Sequence, residues 1–293
     1  MFRNQSYKNY KENLDFVRSC STWDELDKLS KNINHKFLLN SKYKSKLRSV
    51  EKKMNTILCD DSWMGHCAKY QLHSGGKRFR ALLALMAADI FKINHESAIY
   101  AAICCEFIHN ASLIHDDLQD RDLLRRGLPT IWNRFGDHTA INLGDYFIAG
   151  SFEALSKIKG NSENKCKAIE HLSYIIKQTV KGQSIEILER SNLNLRMEEY
   201  ESTAKAKTGG LICWPIKLIM ILNGEKNIDE INFKPLYEAG LAYQIQDDLS
   251  DFLGIKDRGL PGRDLKEGKM NVLIMHFLET ATSGERFLLK EFF

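Results

Sequence analysis

Two six-residue segments share the pattern Asp-Asp-Leu-x-Asp, and both follow apolar sequence in which acids are costly. The first is HDDLQD, residues 115–120, and the second is QDDLSD, residues 246–251. Residues four apart share one face of a helix. If the first segment is helical, Asp116 and Asp120 therefore project together, with Asp117 beside them.

Asp247 and Asp251 repeat this pairing in the second segment, with Asp248 beside them. Carboxylates next to apolar helices repel one another and lose hydration, so cations must offset them. An all-oxygen ligand set favours Mg²⁺, which usually takes one or two carboxylates together with substrate phosphates. One such motif would fit a solvated acidic helix face, whereas two copies in apolar sequence predict a divalent-metal site.

Basic residues gather at three points, as phosphate binding would require. The first, SGGKRFR at residues 74–80, places two glycines before Lys77, Arg78 and Arg80. Glycine lets the backbone approach an anion, and the N-terminus of the helix that follows carries partial positive charge. The segment is not a P-loop, because the pattern GxxxxGK[ST] is absent from the sequence.

The other two basic points follow the first aspartate motif and open a later helix. LLRRGLPT contains Arg125 and Arg126, and KAKTGG contains Lys205, Lys207 and Thr208 at a predicted helix start. Any one of these lysines alone would be an ordinary surface charge. Together the basic residues predict sites for two diphosphates, one joined to the aspartates through metal and one held by lysine and arginine without metal.

Helices are predicted to carry these residues, because apolar residues recur with helical spacing and no segment alternates with period two. They are predicted over 41–58, 79–91, 95–123, 141–158, 167–190, 211–222 and 235–254, with a short capped helix near 22–33. Loops are predicted near 124–137, 191–197, 223–232 and 255–267. The predicted fold class is all-α, with a polar extension over 1–45 that includes the short helix and one domain over 46–293.

Composition narrows the function classes. The chain has 293 residues, 43% of them hydrophobic, and its net charge of +4 is too small to indicate nucleic-acid binding. Seven cysteines include no CxxC pair and favour reduced packing cysteines in a cytoplasmic protein over disulfides or zinc. The N-terminal sequence lacks the apolar core of a signal peptide, and the longest apolar run, LICWPIKLIMIL, is too short to span a membrane.

The motifs together resemble those of the trans-isoprenyl diphosphate synthases, also called polyprenyl synthetases. They occur in that family's order over residues 74–280: GGKRFR, LIHDDLQD with RRGLPT, GQSIE, KTGGL, YQIQDDLSD and DLKEGK. The resemblance implies a single-domain helical bundle of the isoprenoid synthase type around a central cavity, and a homodimer. It also implies an enzyme that uses Mg²⁺, as three ions with substrate bound, to condense isopentenyl diphosphate with an allylic diphosphate.

The resemblance further implies roles for individual residues. The metal ligands would be Asp116, Asp117, Asp120, Asp247, Asp248 and Asp251. Isopentenyl diphosphate would be held by Lys77, Arg80, His109 and Arg126, and the allylic diphosphate by Arg125, Lys207, Thr208 and Gln244. The residues predicted to act in catalysis, by stabilising charge on the departing diphosphate, are Asp116, Asp120, Asp247, Lys207 and Arg125.

Product length is predicted from the helix before the first aspartates, where bulk limits chain growth in this family. Ala111 and Ser112 are small at positions where farnesyl-type enzymes place an aromatic residue, and Phe107 and Ile108 follow one turn further down. A floor at Phe107 predicts geranylgeranyl diphosphate as the product. If Phe107 packs away from the cavity, longer polyprenyl diphosphates are the alternative.

Three departures from the family pattern leave other functions open. The lysine that often precedes Gly-x-Asp in the last loop is replaced by Gly259, so Lys256, Arg258 or Arg263 would have to substitute. The chain ends at Phe293, earlier than most members, and the part before GGKR is longer. A non-catalytic subunit of the same fold is one alternative, although both aspartate motifs are intact. A class I terpene cyclase is another alternative. Such an enzyme binds no second diphosphate and so does not require the GGKRFR motif, and it normally carries a different second metal motif.

Overall fold

The computed structural model describes residues 41–254 and 262–292, and the statements below concern those residues. Contacts divide the chain into two compact units, Met1–Arg48 and Ser49–Phe293. The helix predicted near 22–33, and most of the predicted extension over 1–45, lie outside the described residues. The predicted boundary between extension and domain therefore stays a prediction, and the site described below lies in the second unit.

The described chain is almost entirely α-helical, which confirms the predicted fold class. Its β-structure is one antiparallel pair of two-residue strands, in which Leu124 faces Pro129 and Arg125 faces Leu128. The elements are α1 (Ser41–Leu58), α2 (Trp63–His73), α3 (Phe79–Ile90), α4 (His95–Gln119), β1 (Leu124–Arg125), β2 (Leu128–Pro129), α5 (Ile131–Phe135), α6 (Asp137–Ser156), α7 (Ser162–Leu188), α8 (Met197–Ala204), a π-helical turn (Lys205–Gly209), α9 (Gly210–Asn223), a 3₁₀ turn (Ile228–Glu230), α10 (Lys234–Phe252), α11 (Arg263–Lys266), α12 (Val272–Thr280) and α13 (Ser283–Phe292).

Helix α4 is the central helix of the fold. Asn94 caps its start by accepting a hydrogen bond from the Ser97 N–H, and Glu96 in its first turn suits the positive end of the helix. Its apolar residues are spread around most of its circumference, and it packs against α3, α6 and α9. By length and composition α4 could cross a membrane, but 78% of its most apolar window is buried inside the protein. It is therefore a core helix, and its C-terminal end carries the first aspartate motif.

The seven helices predicted between residues 41 and 254 are all present, but several short elements were not predicted. Helices α2, α8, α12 and α13 are only 11, 8, 9 and 10 residues long, and the predicted loop over 124–137 contains β1, β2 and α5. Local capping explains two of them: the Ser62 hydroxyl accepts the Gly65 N–H at the start of α2, and the Asn271 side chain accepts the Ile274 N–H at the start of α12.

The segment KAKTGG does not open a helix as predicted. The backbone stays helical from Met197 to Asn223, and Lys205–Gly209 forms a single π-helical turn within it. Single π turns inside α-helices are rare and are found often at functional sites. The π turn carries Lys207 and Thr208, two of the residues predicted to contact the allylic diphosphate.

Helix α10 approaches this π turn closely because two glycines meet there. A Cβ atom added at Gly240 would lie 2.6 Å from the Cα and 2.7 Å from the N of Gly209. These are backbone atoms, so the neighbour cannot move away as the end of a flexible side chain would. The approach brings the second aspartate motif on α10 next to Lys207 and Thr208.

We expect Gly240→Ala to lower the free energy of unfolding by about 2 kcal/mol, as overpacked interiors do, measured by denaturant unfolding. Gly210→Ala is the matched control, because its new Cβ would meet only Ile175 Cδ1, at 4.0 Å. Equal stability of the two variants would contradict the close approach of α10 to the π turn.

Candidate active site

A cavity of about 360 Å³ receives both aspartate motifs. Asp116 and Asp120 line it from the C-terminal end of α4, and Asp247 and Asp248 line it from α10. Both motifs lie at the C-terminal ends of their helices, where the helix dipole disfavours negative charge. The fold thus gathers carboxylates where neither burial nor the helix dipole stabilises them, so cations must do so.

Asp117 and Asp251 are directed elsewhere. The Arg125 Nε lies 2.7 and 2.8 Å from the two oxygens of Asp117, its Nη2 lies 2.5 Å from Oδ1, and both side chains are buried. Asp251 accepts a hydrogen bond from the Asp264 N–H at 3.0 Å. Neither aspartate is among the described residues that line the cavity, so this arrangement gives no support to their predicted role as metal ligands.

Cations meet the remaining carboxylates of the first motif. Lys269 Nζ lies 2.5 Å from Asp120 Oδ2, and Arg190 Nη2 lies 2.7 Å from Asp120 Oδ1. Lys207 Nζ lies 2.9 Å from Glu186 Oε2 and 3.8 Å from Asp116 Oδ1. Burial lowers the pKa of Lys207, but Asp116 and Glu186 outweigh it and raise that pKa, so the lysine is charged.

The pKa values of Asp116 and Asp120 depend on burial, which raises them, and on neighbouring cations, which lower them. Burial raises the pKa of Asp116, with Lys207 opposing and Asp120 adding to the rise. Burial also raises the pKa of Asp120, but Lys269 and its other cationic neighbours more than reverse this and leave it lowered. Of these two carboxylates, Asp116 is therefore the one that a further cation would stabilise more.

Asp248 is held in place by three donors. The Tyr200 hydroxyl donates to its Oδ2 at 2.6 Å, the Val272 N–H donates to Oδ2 at 3.0 Å, and the Gln244 amide donates to Oδ1 at 2.9 Å. Burial raises the pKa of Asp248 to about 6 despite these hydrogen bonds. The Thr208 hydroxyl donates to Gln244 Oε1 at 3.4 Å, so one hydrogen-bonded chain joins the π turn to α10.

A second, cationic part of the cavity is lined by Arg80, His109 and Arg126. The Nε of Arg80 and the Nδ1 of His109 are buried and have no hydrogen-bond partner among the described residues. Burial lowers the pKa of His109, and the nearby arginines lower it further, so its imidazole is neutral. A buried Arg80 N–H without an acceptor, beside the Arg126 guanidinium group, suits an anion.

The two glycines of the GGKRFR motif contact this cluster, whereas its lysine does not line the cavity. Gly76 lies so close to Arg126 that a Cβ there would be 2.9 Å from Arg126 Nη1, and the Arg126 guanidinium donates to the Gly75 carbonyl. Lys77 is exposed and is not among the described lining residues. The glycines therefore admit Arg126, whereas the predicted role of Lys77 stays a prediction.

The carboxylates of the cavity suit a divalent cation that also binds substrate phosphates. No three His, Cys, Asp or Glu side chains converge on a preformed metal site in the described ranges 41–254 and 262–292. Mg²⁺ does not require one, because it usually takes one or two carboxylates and completes its coordination with water and substrate phosphates. Asp116, Asp120 and Asp247 offer such oxygen ligands from both sides of the cavity, so the residues fit Mg²⁺.

A family model described as Polyprenyl synthetase matches residues 61–293. The chain belongs to this family. It is 33% identical over 247 residues to the short chain isoprenyl diphosphate synthase of Methanocaldococcus jannaschii, covering 83% of this chain and 75% of that protein. It is 36% identical over 222 residues to the geranylgeranyl diphosphate synthase of Saccharolobus solfataricus, covering 74% of this chain and 67% of that protein.

Solved structures confirm the predicted fold. The geranylgeranyl pyrophosphate synthetase from Geoglobus acetivorans superimposes with a TM-score of 0.70 at 28% identity, covering 85% of this chain and 83% of that one. The predictions of a helical isoprenoid synthase bundle and of a trans-prenyltransferase are therefore confirmed.

The residues predicted to set product length lie mostly outside the cavity of this polyprenyl synthetase. Ser112 lines it, but Ala111, Ile108 and Phe107 are buried and are not among the described lining residues. The Phe107 ring meets the Phe147 ring of α6 edge to face, with centroids 5.5 Å apart. Phe107 is thus packed into the core between α4 and α6 in this structure.

Several residues of this polyprenyl synthetase site were not predicted. Lys269 and Glu186 stand in the quoted motifs DLKEGK and GQSIE, which was the only available signal for them. Arg190 contacts Asp120 and Tyr200 contacts Asp248, but neither residue belongs to a motif that would have predicted it. Of the predicted lysine substitutes, Lys256 and Arg258 and the side chain of Arg263 lie outside the described residues, whereas Lys269 lines the cavity.

Proposed function

We propose that this trans-prenyltransferase is Mg²⁺-dependent and condenses isopentenyl diphosphate with an allylic diphosphate to make geranylgeranyl diphosphate. The observation that carries the proposal is the placement of Asp116 and Asp247 on one cavity whose other wall is cationic. The product is supported by relatives named geranylgeranyl diphosphate synthase, among them the enzymes of Geoglobus acetivorans and Saccharolobus solfataricus.

The allylic diphosphate would lie at the aspartate side of the cavity. Asp116, Asp120 and Asp247 would hold the Mg²⁺ ions, which when bound neutralise charge on the departing diphosphate. Lys207 and Lys269 lie beside these aspartates and would donate to the same diphosphate. Arg125 lines the cavity but is bound to Asp117, so we assign it to positioning the helix end.

Isopentenyl diphosphate would lie at the cationic wall. Arg80 and Arg126 would pair with its phosphate oxygens, and an imidazole N–H of neutral His109 would donate to them. No metal is needed there, because the guanidinium groups already supply the positive charge. The two diphosphates are thereby held in one cavity with their hydrocarbon parts together.

The reaction follows from this placement. The allylic C–O bond breaks and its electron pair leaves with the diphosphate, which gives an allylic carbocation. The double bond of isopentenyl diphosphate attacks that cation to form the new C–C bond, and a proton then passes to the departed diphosphate. The apolar side chains of Leu113, Leu195 and Leu211 line the cavity and exclude water that would trap the cation.

A longer polyprenyl diphosphate is the second candidate product. It is favoured by one observation, the packing of Phe107 against Phe147 and away from the cavity. If Phe107 does not limit growth, chain elongation would continue past four isoprene units.

An assay with purified protein tests the proposal. The protein would be incubated with Mg²⁺, isopentenyl diphosphate and each of the five-, ten- and fifteen-carbon allylic diphosphates, and the dephosphorylated products would be sized. We expect the main product to be the twenty-carbon alcohol that geranylgeranyl diphosphate gives on dephosphorylation. Longer alcohols would establish the second candidate, and no product from any starter would indicate a non-catalytic subunit. Cyclic hydrocarbon formed without isopentenyl diphosphate would indicate a terpene cyclase.

Two further properties are proposed from family membership. The protein would act in the cytoplasm and would form a homodimer, and light scattering after size-exclusion chromatography would give twice the chain mass. A monomer with full turnover would contradict the second of these.

A further inference from the structure

Arg190 follows the C-terminal end of α7 and binds the carboxylate of Asp120. Its Nη2 lies 2.7 Å from Asp120 Oδ1, while Lys269 Nζ lies 2.5 Å from Asp120 Oδ2. The Asp120 side chain is only 8% exposed, and those of Arg190 and Lys269 are 26% and 12% exposed. A cation therefore occupies each oxygen of a carboxylate that the proposed function assigns to Mg²⁺.

Mg²⁺ and these two side chains compete for the same oxygens. A divalent ion bound to Asp120 would stand close to both positive groups and repel them. Lys269 has a second carboxylate available, because its Nζ lies 3.4 Å from Asp264 Oδ1. Arg190 makes no second ion pair in the described part of the chain, and its buried Nε has no hydrogen-bond partner there.

We propose that Arg190 is a diphosphate-binding residue whose partner in the absence of substrate is Asp120. When Mg²⁺ binds Asp120, the guanidinium group pairs with an oxygen of the metal-bound diphosphate, which supplies the acceptors that Arg190 loses and that its Nε lacks. A planar guanidinium suits two phosphate oxygens at once. This inference rests on the proposed function, because it takes Asp120 as a metal ligand and the cavity as a diphosphate site.

The experiment measures two affinities by calorimetry in the full chain, that for Mg²⁺ alone and that for inorganic diphosphate in the presence of Mg²⁺. We expect Arg190→Gln to bind Mg²⁺ alone more tightly than wild type, because Asp120 loses a competing cation. We expect the same variant to bind inorganic diphosphate roughly tenfold more weakly, the loss of one charge-assisted hydrogen bond. Arg190→Lys should recover part of the diphosphate affinity, because it keeps the charge without the planar fork.

Lys181→Gln is the matched control, since it removes one positive charge from an exposed position on α7, the helix that precedes Arg190. If Arg190→Gln behaves like this control while wild type turns over isopentenyl diphosphate, the inference is wrong and the proposed function stands. If both affinities weaken together, Arg190 has only a structural role. If wild type binds neither Mg²⁺ nor inorganic diphosphate, the proposed function and this inference are both overturned.

Discussion

Replacing Asp116 with asparagine is expected to lower kcat on the order of 10³-fold, the effect of losing a group that stabilises transition-state charge. Asp116 lies at the centre of the site, because it faces the cavity from α4 and approaches Lys207 at 3.8 Å. Asparagine keeps the shape but lacks the charge that a divalent cation requires. Turnover of isopentenyl diphosphate with a fifteen-carbon allylic diphosphate is the measurement.

The same substitution should not destabilise the fold. Burial raises the pKa of Asp116, so in the folded protein its charged form is disfavoured relative to the unfolded chain, and above that pKa the carboxylate costs stability. Removing the charge should leave the melting temperature unchanged or higher. Asp61→Asn, at an exposed aspartate of another Asp-Asp pair, is the control and should change neither quantity. Loss of activity together with a lower melting temperature would show that Asp116 is needed for folding instead.

This separation of activity from stability follows from where the two motifs lie. Both occupy the C-terminal ends of core helices, where the helix dipole opposes negative charge. Both contain adjacent carboxylates, and the charge of the first motif is offset by Lys207, Lys269 and Arg190. The helix dipole opposes these carboxylates, and cations distant in sequence must neutralise them. Such an arrangement is better explained by a need to bind ligand than by a contribution to the stability of the fold.

The sequence predicts the opposed motifs because its signals there are local. The helical spacing of Asp116 and Asp120, and the apolar residues that precede them, are properties of a few turns of one helix. The same holds for the core helices, whose apolar residues recur over ten or more positions. Adjacent positions on a helix differ by about 100° in direction, so spacing alone did not separate Asp116, in the cavity, from Asp117, which Arg125 holds.

Contacts between residues distant in sequence could not be predicted from local spacing. Lys269 meets Asp120 across 149 positions of sequence and Tyr200 meets Asp248 across 48. Neither partner shows periodicity that would mark it. The packing of Phe107 against Phe147 depends on how α4 and α6 meet, and no feature of α4 alone reveals it. The close approach of Gly240 on α10 to Gly209 in the π turn is likewise a contact between distant positions.

Lys207→Gln is expected to lower both activity and stability, which distinguishes it from the aspartate variant. Lys207 is 17% exposed and lies between two carboxylates, with its Nζ 2.9 Å from Glu186 Oε2 and 3.8 Å from Asp116 Oδ1. Without the lysine, these partly buried carboxylates lose their shared cation, which should cost about 2 kcal/mol of unfolding free energy. The lost donor to the departing diphosphate should lower kcat roughly 10²-fold.

A second substitution separates the two losses. Lys207→Gln combined with Glu186→Gln should regain much of the stability, because one unpaired carboxylate is removed, but should not regain kcat.

The stability loss of the single variant should also shrink as pH falls. Burial raises the pKa of Asp116 and Lys207 opposes that rise, so without Lys207 the pKa of Asp116 rises further, and the cost of its charge is present above that pKa and vanishes below it. Lys205→Gln, in the same π turn but paired with Glu201 and Glu238, is the control and should keep kcat. Equal activity of the Lys205 and Lys207 variants would show that the charge of Lys207 does not act on the substrate.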